Sequence, residues 1–332
     1  MDWYKISHSH LNLHGLNLHI AHIGEGELGN VVFLHGFPEI WYSWRHQMMA
    51  VAEAGYRAIA MDFRGFGLSD GPQELEKASW DDLIDDLVAV LDSLTIPKAF
   101  IVGKDFGAKP AFDFAIQHPD RVSGIITVGV PFAPKSFSTV REPPKGFYIT
   151  RWREPGRAEA DFARFDTKTV LQNIYILFSG SELPVAGDGH EIMDLVDPLT
   201  PLPQWLSEKD LQVYTDLYEK SGFVAPMQIP YRKLKVLKLH PRSFHNMKEV
   251  ANPKVEAPAL LIMGEKDYIF KFSGMDEYVR NGEVKEFVPD LEIVYIPEGT
   301  HFVQEQFPDQ VNQLIIRFIN NIVSGRKFSS GV

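Results

Sequence analysis

The chain has 332 residues, of which 45% are hydrophobic and 23% charged, a composition typical of a globular protein with a sizeable core. Its 33 basic and 44 acidic residues give a formal net charge of −11 at pH 7, which argues against nucleic acid as a partner because phosphate backbones are repelled. The chain has no cysteine, so disulfides, thiolate nucleophiles and zinc–thiolate sites are excluded.

The first part of the chain predicts alternating strands and helices. A hairpin is predicted over residues 11–22, turning at Gly15, and the continuous apolar run at 31–34 predicts a buried strand. A helical stretch then extends to about Ala54, and residues 56–61 predict the next strand. Because strand and helix alternate, we expect a parallel sheet.

The same alternation continues for one more unit. Ser79 is the predicted N-cap of a helix whose apolar residues recur on one face as far as Leu94. A strand is predicted at 99–102 and a helix at 111–117. These units predict an α/β fold with a mostly parallel sheet flanked by helices.

Near Pro131 the alternation stops, and it resumes only at the strands predicted at 259–263 and 293–296. A last amphipathic helix is predicted over 311–322. Residues 1–131 and 252–332 are therefore predicted to form one core domain, into which residues 132–251 are inserted as a helical cap, or lid.

No stretch of sequence approaches the ~20 consecutive apolar residues of a membrane-spanning helix. Residues 1–10 lack the apolar centre of a signal peptide. We therefore expect no membrane span and a cytoplasmic location.

Residues 103–107 read Gly-Lys-Asp-Phe-Gly at the point where a strand turns sharply into a helix. Small residues on both sides of the central Asp105 let strand and helix approach closely, the pattern of a nucleophile at a sharp elbow. An aspartate there can also serve only as the N-cap of the helix, so the pentapeptide alone leaves both roles open.

Two downstream residues favour the catalytic interpretation, since a triad on such an elbow follows the chain order nucleophile, acid, histidine. Asp267 follows the predicted strand at 259–263, and His301 follows the predicted strand at 293–296. Glu265 is a competing acid beside Asp267. The joint placement at successive strand ends predicts an Asp105, Asp267 and His301 triad.

With these segments the chain resembles the soluble epoxide hydrolases of the α/β-hydrolase superfamily, plant-type members above all. The resemblance covers nearly the whole chain and implies an α/β-hydrolase fold with an inserted helical lid. The segments that carry it are residues 35–39, 62–70, 103–107 and 153–156 and the loops with Asp267 and His301.

The resemblance also implies two lid tyrosines above the nucleophile, and the matching positions are Tyr148 and Tyr231. Either tyrosine alone is more often a packing residue in a chain with 11 tyrosines. Phenols are suitable acids for the alkoxide that forms when an epoxide opens, because their usual pKa is ~10.

The expected reaction has two steps. Asp105 attacks the epoxide and forms an ester, which water activated by His301 and oriented by Asp267 then hydrolyses to a vicinal diol. Backbone N–H groups of Phe37 and Phe106 are expected to hold the oxyanion. The expected partners are a small apolar epoxide and water, with no metal or organic cofactor, in a monomer or homodimer.

The chain departs from the plant-type pattern beside the nucleophile. Members of the family often carry His before and Trp after it, whereas this chain has Lys104 and Phe106. We expect Lys104 to form an ion pair with Glu39 that positions the hydrolytic water. The alternative is that Lys104 packs its stem and reaches solvent.

Two other functions stay open from the sequence. A haloacid or haloalkane dehalogenase also uses an Asp nucleophile, but it needs halide donors, usually a Trp beside the nucleophile, where this chain has Phe106. A non-catalytic ligand-binding protein of the same fold would be favoured if Asp267 or His301 were absent, and both are present.

Overall fold

The fold is organised around a β-sheet, and a computed structural model describes residues 3–133, 144–233 and 253–325 of the chain. Within these residues the strands are β1 (Ser7–Leu13), β2 (Leu16–Ile23), β3 (Asn30–Leu34), β4 (Arg57–Met61), β5 (Ala99–Lys104), β6 (Val122–Val128), β7 (Ala259–Gly264) and β8 (Leu291–Ile296). They form one sheet in the order β1-β2-β4-β3-β5-β6-β7-β8.

Most neighbouring strands in this sheet are parallel. Only β1 with β2 and β2 with β4 pair antiparallel within the described residues, and the other five pairs are parallel. The predicted hairpin is confirmed with longer strands, and its turn at His14 and Gly15 has positive φ at both residues, as a tight two-residue hairpin turn requires. The prediction of a mostly parallel sheet is confirmed.

Helices cover the sheet and make up much of the described part of the segment between β6 and β7. The core helix α2 begins after Ser79, whose side chain forms a capping box with Asp82, as its predicted N-cap role requires. The helices in the described residues are α1 (Arg45–Glu53), α2 (Trp80–Ser93), α3 (Ala108–Gln117), α4 (Tyr148–Trp152), α5 (Arg157–Phe162), α6 (Thr167–Phe178), α7 (Glu208–Ser221), α8 (Val224–Met227), α9 (Met275–Arg280), α10 (Val303–Gln306) and α11 (Pro308–Val323).

The described part of the inserted segment is helical. Helices α4 to α8 all lie within residues 144–233, which we call the lid segment. Of the two predicted domain boundaries, the one at 131/132 follows β6 directly, and the one at 251/252 lies outside the described residues. Among the described residues no helix is both long and apolar enough to cross a bilayer.

The strand order determines where a site can form. β4 and β5 lie on opposite sides of β3, so the loops that follow β3 and β5 leave the sheet in different directions and open a crevice at its carboxyl edge. The predicted site residues from the core domain follow β3, β5, β7 and β8, and all of these strands end at that edge.

Candidate active site

Asp105 lies on a sharp turn between β5 and α3. Its backbone φ is +51°, in the left-handed region that few residues other than glycine adopt and that aspartate tolerates better than most. A Cβ on Gly103 would lie 2.5 Å from the carbonyl oxygen of Gly107, and a Cβ on Gly107 would collide with the carbonyl oxygen of Leu34. The close approach of strand and helix therefore requires both glycines.

The loop after β3 brings backbone donors to this carboxylate. The Phe37 N–H donates to Oδ1 of Asp105 at 3.3 Å, and the backbone N–H of Phe106 lowers the pKa of the same carboxyl group. Gly36 permits the approach, because a Cβ there would lie 2.5 Å from the Cβ of Asp105. Of the two residues predicted to form the oxyanion hole, Phe37 thus contacts the Asp105 side chain, and Phe106 acts on its charge.

His301 lies between two aspartates. Its Nδ1 is 3.0 Å from both carboxylate oxygens of Asp267, and its Nε2 is 3.2 Å from Oδ2 of Asp105. The Asp267 carboxylate is itself held by the Ile269 N–H at 3.0 Å. The competing acid Glu265 is half-exposed and faces Arg280, so the structure brings Asp267 to the histidine.

The ionisation of this group follows from its neighbours. Burial raises the pKa of Asp105, but the hydrogen bond and charge of His301 and the charge of Lys104 outweigh burial and leave this pKa below its usual range. For His301, burial lowers the pKa, and the Asp267 charge with hydrogen bonds to both aspartates outweighs it and leaves this pKa raised. Asp105 is therefore ionised at neutral pH.

Both predicted tyrosines lie in the lid segment, close enough to Asp105 for its charge to act on them. Tyr148 is the first residue of α4, Tyr231 follows α8, and both are buried, with ring centroids 6.3 Å apart. The Tyr231 ring lies 5.1 Å from the ring of Phe106, next to the nucleophile. Burial is the main cause that raises the pKa of both phenols, and the charge of Asp105 raises it further. Their hydroxyls are therefore protonated at neutral pH.

A third tyrosine at the site was not predicted from the sequence. Tyr268 directly follows Asp267, and its hydroxyl is 3.2 Å from the Tyr148 hydroxyl. Its ring centroid lies 4.8 Å from that of His301. The only signal in the sequence is adjacency to the predicted acid, which does not reveal where a side chain points.

The predicted ion pair between Lys104 and Glu39 is not formed. The Lys104 ammonium is fully buried, has no hydrogen-bond partner among the described residues, and lies 5.5 Å from the Phe302 ring centroid. The alternative prediction, in which Lys104 reaches solvent, is also wrong. Lys104 shares its surroundings with the triad, since a Cβ on Gly129 would lie 3.4 Å from Lys104 Nζ and 3.5 Å from His301 Nδ1.

Glu39 is paired with an amide instead of the lysine. Gln304 Nε2 donates to Oε1 of Glu39, and Oε2 of Glu39 has no partner among the described residues. Burial raises the pKa of Glu39 to about 7, although the Lys104 charge acts in the opposite direction. Gln304 lies one helical turn after His301, a spacing that gave no signal in the sequence.

The residues described hold no group of three or more His, Asp or Glu side chains arranged to bind a metal ion. The polar atoms that converge on the site are carboxylates, an imidazole, phenols and backbone N–H groups. This is a set for nucleophilic and acid–base chemistry.

Comparison with known proteins agrees with this geometry. The family model for the alpha/beta hydrolase fold matches residues 29–308. Epoxide hydrolase 1 of Siraitia grosvenorii is 35% identical over 324 residues, which cover 95% of this chain and 98% of that protein. The chain belongs to the epoxide hydrolases of the α/β-hydrolase fold.

Other epoxide hydrolases show similar likeness. Epoxide hydrolase B of Mycobacterium tuberculosis is 30% identical over 361 residues, covering 95% of this chain and 98% of that protein. A mutant epoxide hydrolase of Vigna radiata superposes with a TM-score of 0.84 at 33% identity, over 96% of this chain and 99% of that one. A laboratory-evolved variant of a potato epoxide hydrolase superposes with a TM-score of 0.82 at 32% identity, over 96% of this chain and 100% of that one.

Proposed function

We propose that this epoxide hydrolase converts small apolar epoxides to vicinal diols through an ester on Asp105. One observation carries the mechanism: the two oxygens of this carboxylate face different groups. Oδ1 accepts a hydrogen bond from the backbone N–H of Phe37, and Oδ2 lies 3.2 Å from Nε2 of His301.

Ring opening uses the ionised carboxylate and the lid tyrosines. Oδ2 attacks an epoxide carbon, the carbon–oxygen bond of the ring breaks, and Tyr148 or Tyr231 gives its proton to the leaving oxygen. Oδ1, which already accepts the Phe37 N–H, becomes the ester carbonyl oxygen, and we expect the Phe106 N–H to act on it as well. The products are a hydroxyalkyl ester and one phenolate.

Ester hydrolysis uses the other side of the site. His301, with Nδ1–H donated to Asp267, removes a proton from water, and the hydroxide adds to the ester carbonyl carbon. The oxyanion forms on Oδ1, where the two backbone N–H groups stabilise it. Collapse releases the diol, and the proton freed as the carboxylate re-forms restores the phenol.

The hydrolytic water is proposed to bind between Glu39 and Lys104. Lys104 Nζ, Oε2 of Glu39 and Oε1 of Gln304 are buried atoms without partners among the described residues. They supply one donor group and two acceptors, and a buried water needs about two to four such partners. The two residues would thus share the water instead of contacting each other.

The apolar surroundings support an apolar substrate. Phe37, Trp152 and Phe178 pack around the two lid tyrosines, with Trp152 ring contacts of 5.2 Å to Tyr231 and 5.4 Å to Tyr148. We also propose that residues 132–251 form the cap domain. The cytoplasmic location and the monomer or homodimer stay predictions.

Trapping the ester tests the mechanism. In His301→Gln the carboxylate still attacks unaided, whereas water lacks its base, so acid-quenched enzyme should show the added mass of one epoxide in intact-mass analysis. His118→Gln, a histidine on the loop between α3 and β6, serves as the control and should turn over normally. His301→Gln enzyme that keeps its original mass would contradict the proposal.

Isotopic labelling locates the bond that water breaks. In single-turnover hydrolysis in ¹⁸O-water, one label should enter the Asp105 carboxylate, because water attacks the ester carbonyl carbon. Label found only in the diol would show direct attack of water on the epoxide. Halide release from a haloacetate, without diol formation from epoxides, would favour the dehalogenase.

A further inference from the structure

We propose that Tyr268 is a positioning residue for ring opening, which donates a hydrogen bond to the Tyr148 oxygen and leaves the Tyr148 proton free for the epoxide. The inference rests on the proposed function, in which Tyr148 is an acid. It adds a third phenol to the two that the family resemblance implies.

The contacts of Tyr268 fix its hydroxyl in one place. Its side chain is buried, and the Tyr148 hydroxyl, at 3.2 Å, is its hydrogen-bond partner among the described residues. The ring packs 4.8 Å from His301 and 5.2 Å from Phe178. Its backbone follows Asp267, whose carboxylate accepts the Ile269 N–H. The hydroxyl is thus held on an element that the triad also uses.

The chemistry of the acid decides the direction of this hydrogen bond. A phenol has one proton, so a Tyr148 that donated to Tyr268 could not donate to the epoxide oxygen. When Tyr268 is the donor, Tyr148 accepts from one side and donates to substrate on the other.

The same hydrogen bond strengthens as the reaction proceeds. When Tyr148 transfers its proton, its oxygen becomes a phenolate, and hydrogen bonds to charged acceptors are stronger than those to neutral ones. Burial raises the pKa of Tyr148, and the hydrogen bond with Tyr268 acts in the opposite direction. Tyr268 therefore makes the buried Tyr148 a better acid.

The test separates ring opening from ester hydrolysis. Tyr268→Phe removes only the hydroxyl, and we expect the pre-steady-state rate of alkylation to fall roughly 10- to 100-fold, the usual effect of a hydrogen bond to a charged group. Ester hydrolysis should keep the wild-type rate, which also shows that the triad is folded. Tyr268→Leu provides a second variant without the hydroxyl.

A double-mutant cycle distinguishes positioning from packing. If Tyr268 acts through Tyr148, Tyr268→Phe should have almost no further effect on alkylation in a Tyr148→Phe background. The control is Tyr56→Phe, which also removes one tyrosine hydroxyl and its hydrogen bond to Asn320. Tyr56 directly precedes β4 and therefore lies at the edge of the sheet opposite the site. Tyr56→Phe should alkylate at the wild-type rate.

The outcomes separate this inference from the proposed function. Wild-type alkylation in Tyr268→Phe, or losses that simply add in the double variant, would overturn the role of Tyr268 alone. Wild-type alkylation in Tyr148→Phe would instead overturn the acid role of Tyr148 and with it part of the proposed mechanism. Slow ester hydrolysis in Tyr268→Phe would place the defect in the triad and also overturn the inference.

Discussion

Lys104 is an unusual residue because a buried ammonium is costly unless it is paired. Within the described residues it has no hydrogen-bond partner, yet its positive charge lowers the pKa of three neighbours: Glu39, Asp105 and His301. At the residue scale, its contribution to function is therefore electrostatic. The charge favours the ionised forms of Glu39 and Asp105 and the neutral form of His301, which are the forms that the two proposed steps need.

Replacing Lys104 with methionine should change the pH dependence of ester hydrolysis. Glu39, whose pKa is about 7, loses its acceptor role as pH falls through that value, and a protonated His301 cannot act as a base. Without the Lys104 charge, both pKa values rise. The midpoint of the hydrolysis rate should therefore move to higher pH, with a several-fold loss near neutrality and little loss at alkaline pH.

The measurement is the pre-steady-state rate of ester decay against pH. Lys109→Met removes the same charge from an exposed lysine paired with Asp113, so its profile should match wild type. Lys104→Met should unfold at about the wild-type temperature, because it removes both the cost of burying the ammonium and its attraction to Glu39 and Asp105. A variant with an unshifted profile would show that Lys104 does not influence this step.

The sequence places the three predicted triad residues at one edge of the sheet, but it says less about the side chains around them. Asp105, Asp267 and His301 each follow a strand, and parallel strands end at one edge, so local pattern alone brings them together. The pairing of Glu39 with Gln304 and the contact of Tyr268 with Tyr148 depend on side-chain directions across distant loops. No periodicity in the sequence carries that information.

At the scale of elements, the elbow depends on how closely β5 approaches α3. A Cβ at position 103 would lie 2.5 Å from the Gly107 carbonyl oxygen and 2.8 Å from the Ala108 Cα. Backbone atoms cannot move aside as a flexible side chain can. The geometry of Asp105 is therefore set by the glycines around it.

We expect Gly103→Ala to destabilise the fold and displace the nucleophile. Overpacking typically lowers the free energy of unfolding by about 1–3 kcal/mol, a change that urea unfolding would detect. Single-turnover alkylation should fall by more than the loss of folded protein explains. Gly71→Ala is the control, because a Cβ there meets nothing nearer than 3.6 Å. Equal stability and activity of both variants would contradict this account of the elbow.

The elements themselves were predicted unevenly. Strands with continuous apolar runs, such as β3 and β7, were predicted to within a residue or so, whereas β6 was not predicted. Its apolar residues are interrupted by Gly124, and a Cβ there would lie 3.0 Å from Ile322 and 3.1 Å from Phe318 of α11. The glycine that interrupts the apolar pattern thus allows the last helix to pack closely on this strand.

At the scale of the whole molecule, a buried ion pair joins the lid segment to the core. Arg45 of α1 pairs with Glu305 of α10 at 2.5 Å and with Asp210 of α7 at 3.1 Å. Tyr214 of α7 donates to the other oxygen of Glu305 at 2.7 Å. Burial raises the pKa of Glu305, and the Arg45 charge acts in the opposite direction.

Arg45→Met should leave Glu305 as a buried acid that keeps the Tyr214 hydrogen bond but has lost its cation. Breaking one partner of such a pair typically costs about 3–5 kcal/mol when the other stays charged. Without Arg45 the folded-state pKa of Glu305 rises further above its unfolded value. The folded protein then binds a proton more tightly than the unfolded chain, so the loss is smallest at acid pH and grows as pH rises through the folded pKa.

Urea unfolding at pH 5 and pH 8 measures this dependence. The control is Arg317→Met, which removes a half-exposed arginine paired with Glu292. It should lower the free energy of unfolding by about 1 kcal/mol or less at both pH values. An Arg45→Met loss that is the same at both pH values would show that Glu305 keeps its charge without the arginine.

The position of the lid segment also affects how this protein can change over evolution. The chain leaves the sheet after β6 and returns in the adjacent strand β7, where Val128 pairs with Ile262. Each doubling in length of such a connection costs only about 0.6 kcal/mol in closure entropy. Tyr148 and Tyr231 lie in this insertion, whereas Asp105, Asp267 and His301 lie outside it. Recombination can therefore exchange the two tyrosines and the aromatic side chains of the lid segment around them as a block, while Asp105, Asp267 and His301 are inherited unchanged.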